Sequence, residues 1–247
     1  HKSFKLFGLK KEFDFFKSLY LKKSLPRVLM LSGHKGIGKF TLVNHLINFI
    51  FNKTNYNDKI NEFDLNSNIS NHISNNLFPN VILLSGINFE NSKVDDIRSL
   101  KKKVFQTNIS DNERFIILDD IELFNINSLN ALLKLVEEPT KNNHFILINN
   151  QSKKLIDTIK SRSLEIKIVL NNDSRSKIVS SLIETYKIKL VLNLEKSALS
   201  PGNFLKFNYI LDQNDISLKD DFLDNLKLLL NIYKKNKEFN YIKLILY

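Results

Sequence analysis

The chain has 247 residues, which at about 100–200 residues per domain allows one large domain or two to three small ones. Its 37 basic and 26 acidic residues leave a formal charge of +11, and its 43% hydrophobic residues supply a core, which excludes a wholly disordered chain. The absence of cysteine excludes disulfides and thiolate metal sites, and no apolar run reaches the roughly 18 residues that cross a bilayer. The first residue is His1, and no charged-then-apolar leader precedes the first elements. The expectation is therefore a soluble cytoplasmic chain, trimmed at one or both ends. Arg27, Arg98, Arg114, Arg162 and Arg175 are the arginines and every other basic residue is lysine. Such a diffuse lysine surface either attracts phosphate backbones non-specifically or merely solvates the fold.

Residues 27–32 form a short apolar run of strand length, and Leu42, Val43, Leu46, Ile47 and Phe51 then recur at helical spacing. Between them lie Gly33, Gly36 and Gly38, three of the six glycines in the chain. The unit reads strand, glycine loop, helix. Residues 52–80, rich in Asn and Ser, read as an insertion or long loop. Strands are predicted over 81–84, 115–118, 145–148 and 164–168. Helices are predicted over 94–104, 127–138 (where Pro139 stops the turn) and 155–160. Apolar strands alternating with helices argue for an α/β fold whose parallel sheet carries helices on both faces. From Ser174 onward the pattern is helical, with strand-length alternation returning in the tail at 241–247. Lys101, Lys102 and Lys103 on the predicted basic helix meet DNA phosphates or form a solvated face, with the solvated face favoured.

Gly33-His34-Lys35-Gly36-Ile37-Gly38-Lys39 fits the phosphate-binding loop G-x-x-x-x-G-K. Its glycines let successive backbone N–H groups turn to one anion, and the following helix directs its positive end there. Lys39 supplies the charge for β- and γ-phosphates. The pattern closes on a Ser or Thr that binds magnesium, but Phe40 stands in that place. Thr41 follows, turned about 100° around the helix. Asp119 and Asp120 end an apolar strand, where ligands of nucleotide-binding sheets gather. Asp119 suits magnesium held through water, and Asp120 occupies the usual position of a Glu that polarises the attacking water. His34, His45, His72 and His144 share no metal-ligand spacing, and His34 is expected at the surface.

Asn130-Ala131-Leu132-Leu133-Lys134, Glu137-Glu138-Pro139, the strand at 145–148 and Ser161-Arg162-Ser163 together resemble clamp-loader ATPase subunits of the AAA+ superfamily. The delta-prime branch of bacterial DNA polymerase III fits best, given Leu6-Phe7-Gly8, Gly36-Ile37-Gly38-Lys39 and the Asp119-Asp120 pair. The resemblance covers residues 5–207. It implies that Asn150 takes the first sensor position, and that Arg162 takes the arginine-finger position and completes a neighbouring subunit's nucleotide site. It also implies an AAA+ domain at 1–168, a helical lid at 169–207 and a partial helical collar at 208–247. The implied cofactor is ATP with magnesium. The implied partners are gamma/tau ATPase subunits, the delta subunit, the sliding clamp and, through the complex, primed DNA.

Two departures from the family pattern stand out. The lid motif S-P-G-R reads Ser200-Pro201-Gly202-Asn203, without its cation, and the four-cysteine zinc module of many relatives has no cysteines here. With Phe40, Asp120 and Asn203 each removing a contribution to hydrolysis, the expectation is a subunit that donates a finger and turns over little or no ATP. The alternative is an active gamma/tau-like ATPase that tolerates Thr41 and Asp120. A nucleotide-sensing module without a clamp partner is a third reading.

Overall fold

The computed structural model describes residues 4–86, 113–195, 197–217 and 222–246. It divides into two compact units, residues 1–169 and 170–247. The basic helix predicted over 94–104 lies outside the described residues.

The first unit is built on a five-stranded parallel sheet in the order β4-β5-β6-β1-β7. Its strands are β1 (Val28–Ser32), β4 (Val81–Ser85), β5 (Arg114–Asp119), β6 (Asn143–Asn149) and β7 (Leu164–Lys167). Every residue of β1 and β6 is buried, as strands covered on both faces require, whereas the edge strand β7 leaves Leu164, Glu165 and Lys167 exposed. Register follows the apolar runs: Met30 pairs with Leu147 on one side and Glu165 on the other, and Ile116 pairs with Phe145.

Alternation along the strands splits the core into two layers. Val28, Met30, Ile116, Leu118, Phe145 and Leu147 pack with Leu129, Leu132, Leu135 and Val136 of α4 (Ile126–Glu137) and with Ile159 of α5 (Asp157–Lys160). The side chain of Asn125 caps α4 by accepting the Ser128 N–H at 2.8 Å. On the opposite face lie α2 (Lys39–Phe51), whose Leu42, Val43, Leu46 and Ile47 are buried, and α1 (Lys10–Leu21), whose buried residues are Phe13 and Phe16. Helix α1 escaped the sequence reading because its buried residues, two phenylalanines three apart, make too narrow a stripe among lysines.

The Asn-rich stretch is not a plain loop. It forms β2 (Tyr56–Asn57), pairing antiparallel with β3 (Glu62–Phe63), and the short helix α3 (Asn68–Ser74). Asn52 donates to the Ser67 and Ser70 hydroxyls at 2.9 and 3.0 Å, and Ser70 donates to Asn48 at 2.9 Å. Hydrogen bonds between buried polar side chains thus tie this stretch to α2 where composition alone suggested solvent.

The second unit contains α6 (Asn172–Tyr186), α7 (Pro201–Gln213), α8 (Phe222–Asn236) and α9 (Phe239–Ile245). Val179, Leu192, Phe204, Phe207, Leu211, Leu229, Tyr241 and Leu244 share one apolar cluster. Buried Asn208 secures the 189–192 segment, accepting the Val191 and Leu192 N–H groups at 2.8 and 3.0 Å and donating to the Lys189 carbonyl at 2.7 Å. The tail expected to alternate as a strand is instead helical in α9, because Tyr241 and Leu244, three apart, both turn into that cluster.

Candidate functional site

The glycine loop joins β1 to α2 at the carboxyl end of the sheet. Gly33, Gly36 and Gly38 all have positive φ, at 151°, 88° and 101°. Two of them are forced. A Cβ on Gly33 would lie 2.3 Å from the Ile168 carbonyl oxygen, so the loop can pass the end of β7 only with no side chain there. Gly38 caps α2 in the left-handed conformation, which starts the helix immediately after the turn.

Lys39, the first residue of α2, is only 2% exposed. Its ammonium donates to the Gly33 and His34 carbonyls at 2.7 and 2.8 Å, curling back beneath its own loop. Burial lowers its pKa to about 8, a drop opposed by Asp119, Glu122 and Asp120. His34 is exposed. Phe40 lines an apolar gap with Val43, Ile47, Ile73, Val81, Leu83 and Ile117, so the residue in the magnesium-hydroxyl position serves packing. Thr41 is half-buried on α2 and has none of the contacts that join the other residues.

Asp119 and Asp120 leave β5 beside this loop. Asp120 adopts left-handed backbone geometry (φ 50°) and donates its N–H to Asp119 Oδ1 at 2.9 Å. Its carboxylate is almost fully buried, and Oδ1 accepts from Lys35 Nζ at 2.6 Å and from Asn150 Nδ2 at 2.8 Å. Asn150 Nδ2 also lies 3.5 Å from Asp119 Oδ1, so one amide bridges both acids. Burial and the Asp120 charge push the Asp119 carboxyl above its ordinary value, while the Asp120 amide, Lys35 and Lys39 oppose the shift.

The sequence reading gave Asn150 the first sensor position; here its amide donates to the two carboxylates. It also passed over three residues that build the site. Lys35 was only a variable position of the loop pattern. Buried Glu122 accepts the Asn150 N–H at 3.1 Å, the Ser152 N–H at 3.2 Å and the Ser152 hydroxyl at 2.7 Å, which fixes the segment that carries Asn150. Gly86 lets the chain after β4 pass the Asp120 backbone, since a Cβ there would lie 2.1 Å from the Asp120 carbonyl oxygen. An acidic residue two positions past the Asp pair was a readable signal; a steric contact 34 residues away in sequence was not.

Arg162 lies outside this constellation. It follows α5 at the entry to β7, where its Nε and Nη2 donate to Glu137 Oε1 at 2.7 and 2.6 Å and its Nη1 to the Thr158 carbonyl at 3.0 Å. The side chain keeps 35% exposure. Asn203 is in the first turn of α7, in the second unit. Among the described residues there is no group of three or more His, Asp or Glu placed to hold a metal ion, and no helix long and apolar enough to cross a membrane.

A magnesium ion does not suit these residues. The expected hydroxyl is Phe40, and Oδ1 of Asp120, the buried member of the acidic pair, already accepts from an ammonium and an amide. A phosphate group suits the loop better, given a helix N-terminus, glycines at positive φ and a buried lysine.

Comparison with known proteins agrees with this geometry. The family described as DNA polymerase III, delta subunit, matches residues 8–172. DNA polymerase III subunit delta' of Buchnera aphidicola subsp. Baizongia pistaciae is 27% identical over 140 residues, covering 55% of this chain and 42% of that protein. The chain thus spans less than half the length of the curated relative. Among solved structures, a DNA polymerase III gamma subunit-related protein from Thermotoga maritima has a TM-score of 0.55 at 16% identity, covering 93% of this chain and 82% of that one. The Thermotoga maritima RuvB Holliday junction branch migration motor has a TM-score of 0.52 at 13% identity, covering 94% and 70%. At such identities these two show the fold alone, an α/β fold around a parallel sheet. With the family match extending over both the glycine loop and the Arg162 segment, the chain belongs to the delta-prime family of DNA polymerase III subunits.

Proposed function

We propose that the chain works as a clamp-loader subunit, helping to place a sliding clamp on primed DNA, and that it lends Arg162 to the nucleotide site of a neighbouring gamma/tau-type ATPase. The carrying observation is the state of that guanidinium: exposed, yet oriented by a carboxylate and a carbonyl rather than left to wander. A partly exposed cation held in place can stabilise the charge that develops on a phosphoryl group held by another protomer. Residues 1–168 would form the AAA+ domain, 169–207 the lid and 208–247 part of a collar, in a cytoplasmic complex with delta and gamma/tau partners.

The chain's own loop would bind nucleotide weakly and hydrolyse little or none. Phe40 supplies no magnesium ligand, Asp120 is one methylene shorter than the usual Glu and is held by Lys35, and Asn203 brings no charge. The test is Arg162→Ala in a reconstituted loader. DNA-dependent turnover at the neighbouring site should fall by on the order of 10³ or more, so that the complex loses that site's share of ATP consumption. Unchanged turnover would refute the finger role.

The gamma/tau-like alternative draws on one observation, the assembly of Lys39, Asp119, Asp120 and Asn150 at one end of the sheet. Steady-state hydrolysis by the isolated chain, abolished by Lys39→Ala, would favour it.

A further inference from the structure

The acidic end of β5 poses an electrostatic problem. Two adjacent carboxylates, one nearly fully buried, need positive charge close by, and in phosphate-loop proteins a divalent ion shared with the nucleotide meets that need. Here the compensating charge comes from the chain. Lys35 Nζ lies 2.6 Å from Asp120 Oδ1, its side chain 40% exposed while the aspartate's is 3% exposed, so the ammonium enters from solvent and closes over the acid. Asn150 fills the remaining acceptor site on the same oxygen, and Lys39 is engaged by the loop carbonyls. Asp120 Oδ1 is thus satisfied by Lys35 and Asn150, and Lys39 by its own loop.

We propose that Lys35 is an internal substitute for a divalent cation: its ammonium, rather than a metal ion, neutralises the Asp119–Asp120 pair, and any phosphate group the loop holds is held metal-free. This rests on reading Gly33–Lys39 as a phosphate loop and goes beyond it, because it assigns the cation's place to a residue the loop pattern leaves variable. It also gives a physical reason for weak hydrolysis in addition to Phe40. Without a divalent ion bridging two phosphates, the metal's share in stabilising charge on the leaving oxygens is missing.

Manganese titration followed by electron paramagnetic resonance decides this on the full chain without nucleotide. The wild-type chain and Lys35→Arg should leave the manganese spectrum that of the free ion. Lys35→Met should gain a bound ion that disappears when Asp120→Asn is added. A manganese site in the wild-type chain overturns the proposal, as does the lack of one in a Lys35→Met chain shown to be folded by circular dichroism. The phosphate-loop reading is tested apart, with a fluorescent ATP analogue in the presence of chelator. Lys39→Ala should weaken its binding at least about tenfold. No effect of Lys39→Ala would remove the phosphate-loop reading and leave the manganese result to judge Lys35.

Discussion

Arg162 and Glu137 share a single oxygen: both Nε and Nη2 of the guanidinium donate to Oε1, at 2.7 and 2.6 Å, across 25 residues of sequence. Glu137 is the last residue of α4 and Arg162 follows α5, so the pair joins the ends of two helices that pack in the same apolar layer. The carboxylate restrains the swing of a guanidinium whose side chain stays 35% exposed.

This pairing separates positioning from stability. Both side chains are more than a third exposed, and exposed ion pairs contribute about 0–1 kcal/mol. Glu137→Gln should therefore move the melting temperature of the isolated chain by no more than about 2–4 °C. In the reconstituted loader the same change should lower turnover at the neighbouring site by about tenfold, short of the loss in Arg162→Ala, since a displacement near 1 Å can cost about a hundredfold in rate. Turnover equal to wild type would mean that Glu137 does not position the finger.

Gly86 tests how far the acidic end of β5 depends on a neighbour remote in sequence. In Gly86→Ala the added carbon meets backbone at 2.1 Å, which cannot yield as a flexible side chain would. A loss of about 1–3 kcal/mol is expected, read as a lower denaturation midpoint at unchanged slope. Gly202→Ala, on the exposed first turn of α7, serves as the contrast and should be neutral or slightly stabilising. Equal effects of the two changes would refute the steric account.

Lys39 carries a pH dependence. Its folded-state pKa of about 8 lies below the ordinary lysine value of 10.5, and burial is the main cause. Below about pH 8 the fold carries a buried ammonium; between about pH 8 and 10.5 the folded chain holds fewer protons than the unfolded one. This group's contribution to stability therefore rises with pH across that window. Affinity for a phosphate group should fall across the same window as the ammonium loses its charge. Nitrogen-15 resonances of labelled lysine, titrated in wild type and Lys39→Arg, would check the value. A midpoint near 10.5 would contradict the burial argument.

Local rules carried much of this fold. Arg27 to Lys39 could be read as strand, loop and helix because five buried strand residues, three glycines and a buried helix face are signals contained in adjacent positions. The acids ending β5 were legible in the same way, whereas Ser161-Arg162-Ser163 stood out only through the family resemblance. The 52–80 stretch was misjudged, since Asn and Ser usually mean solvent, yet here Asn48, Asn52, Ser67 and Ser70 hydrogen-bond to one another inside the protein. The tail at 241–247 was misjudged because so short an apolar run fits either period.

What the sequence determined by itself was the set of charged and polar groups and the order in which they occur: Lys35, Lys39, Asp119, Asp120, Asn150 and Arg162. What only the tertiary structure decided was which of them meet. The parallel order β5-β6-β1 brings the loop after β1 beside the ends of β5 and β6, so that Lys35 reaches Asp120 across 85 residues and Asn150 reaches it across 30. Ion pairs and hydrogen bonds act over a few ångströms in space and carry no mark in the spacing of a sequence, so partnership at this site is a property of the sheet.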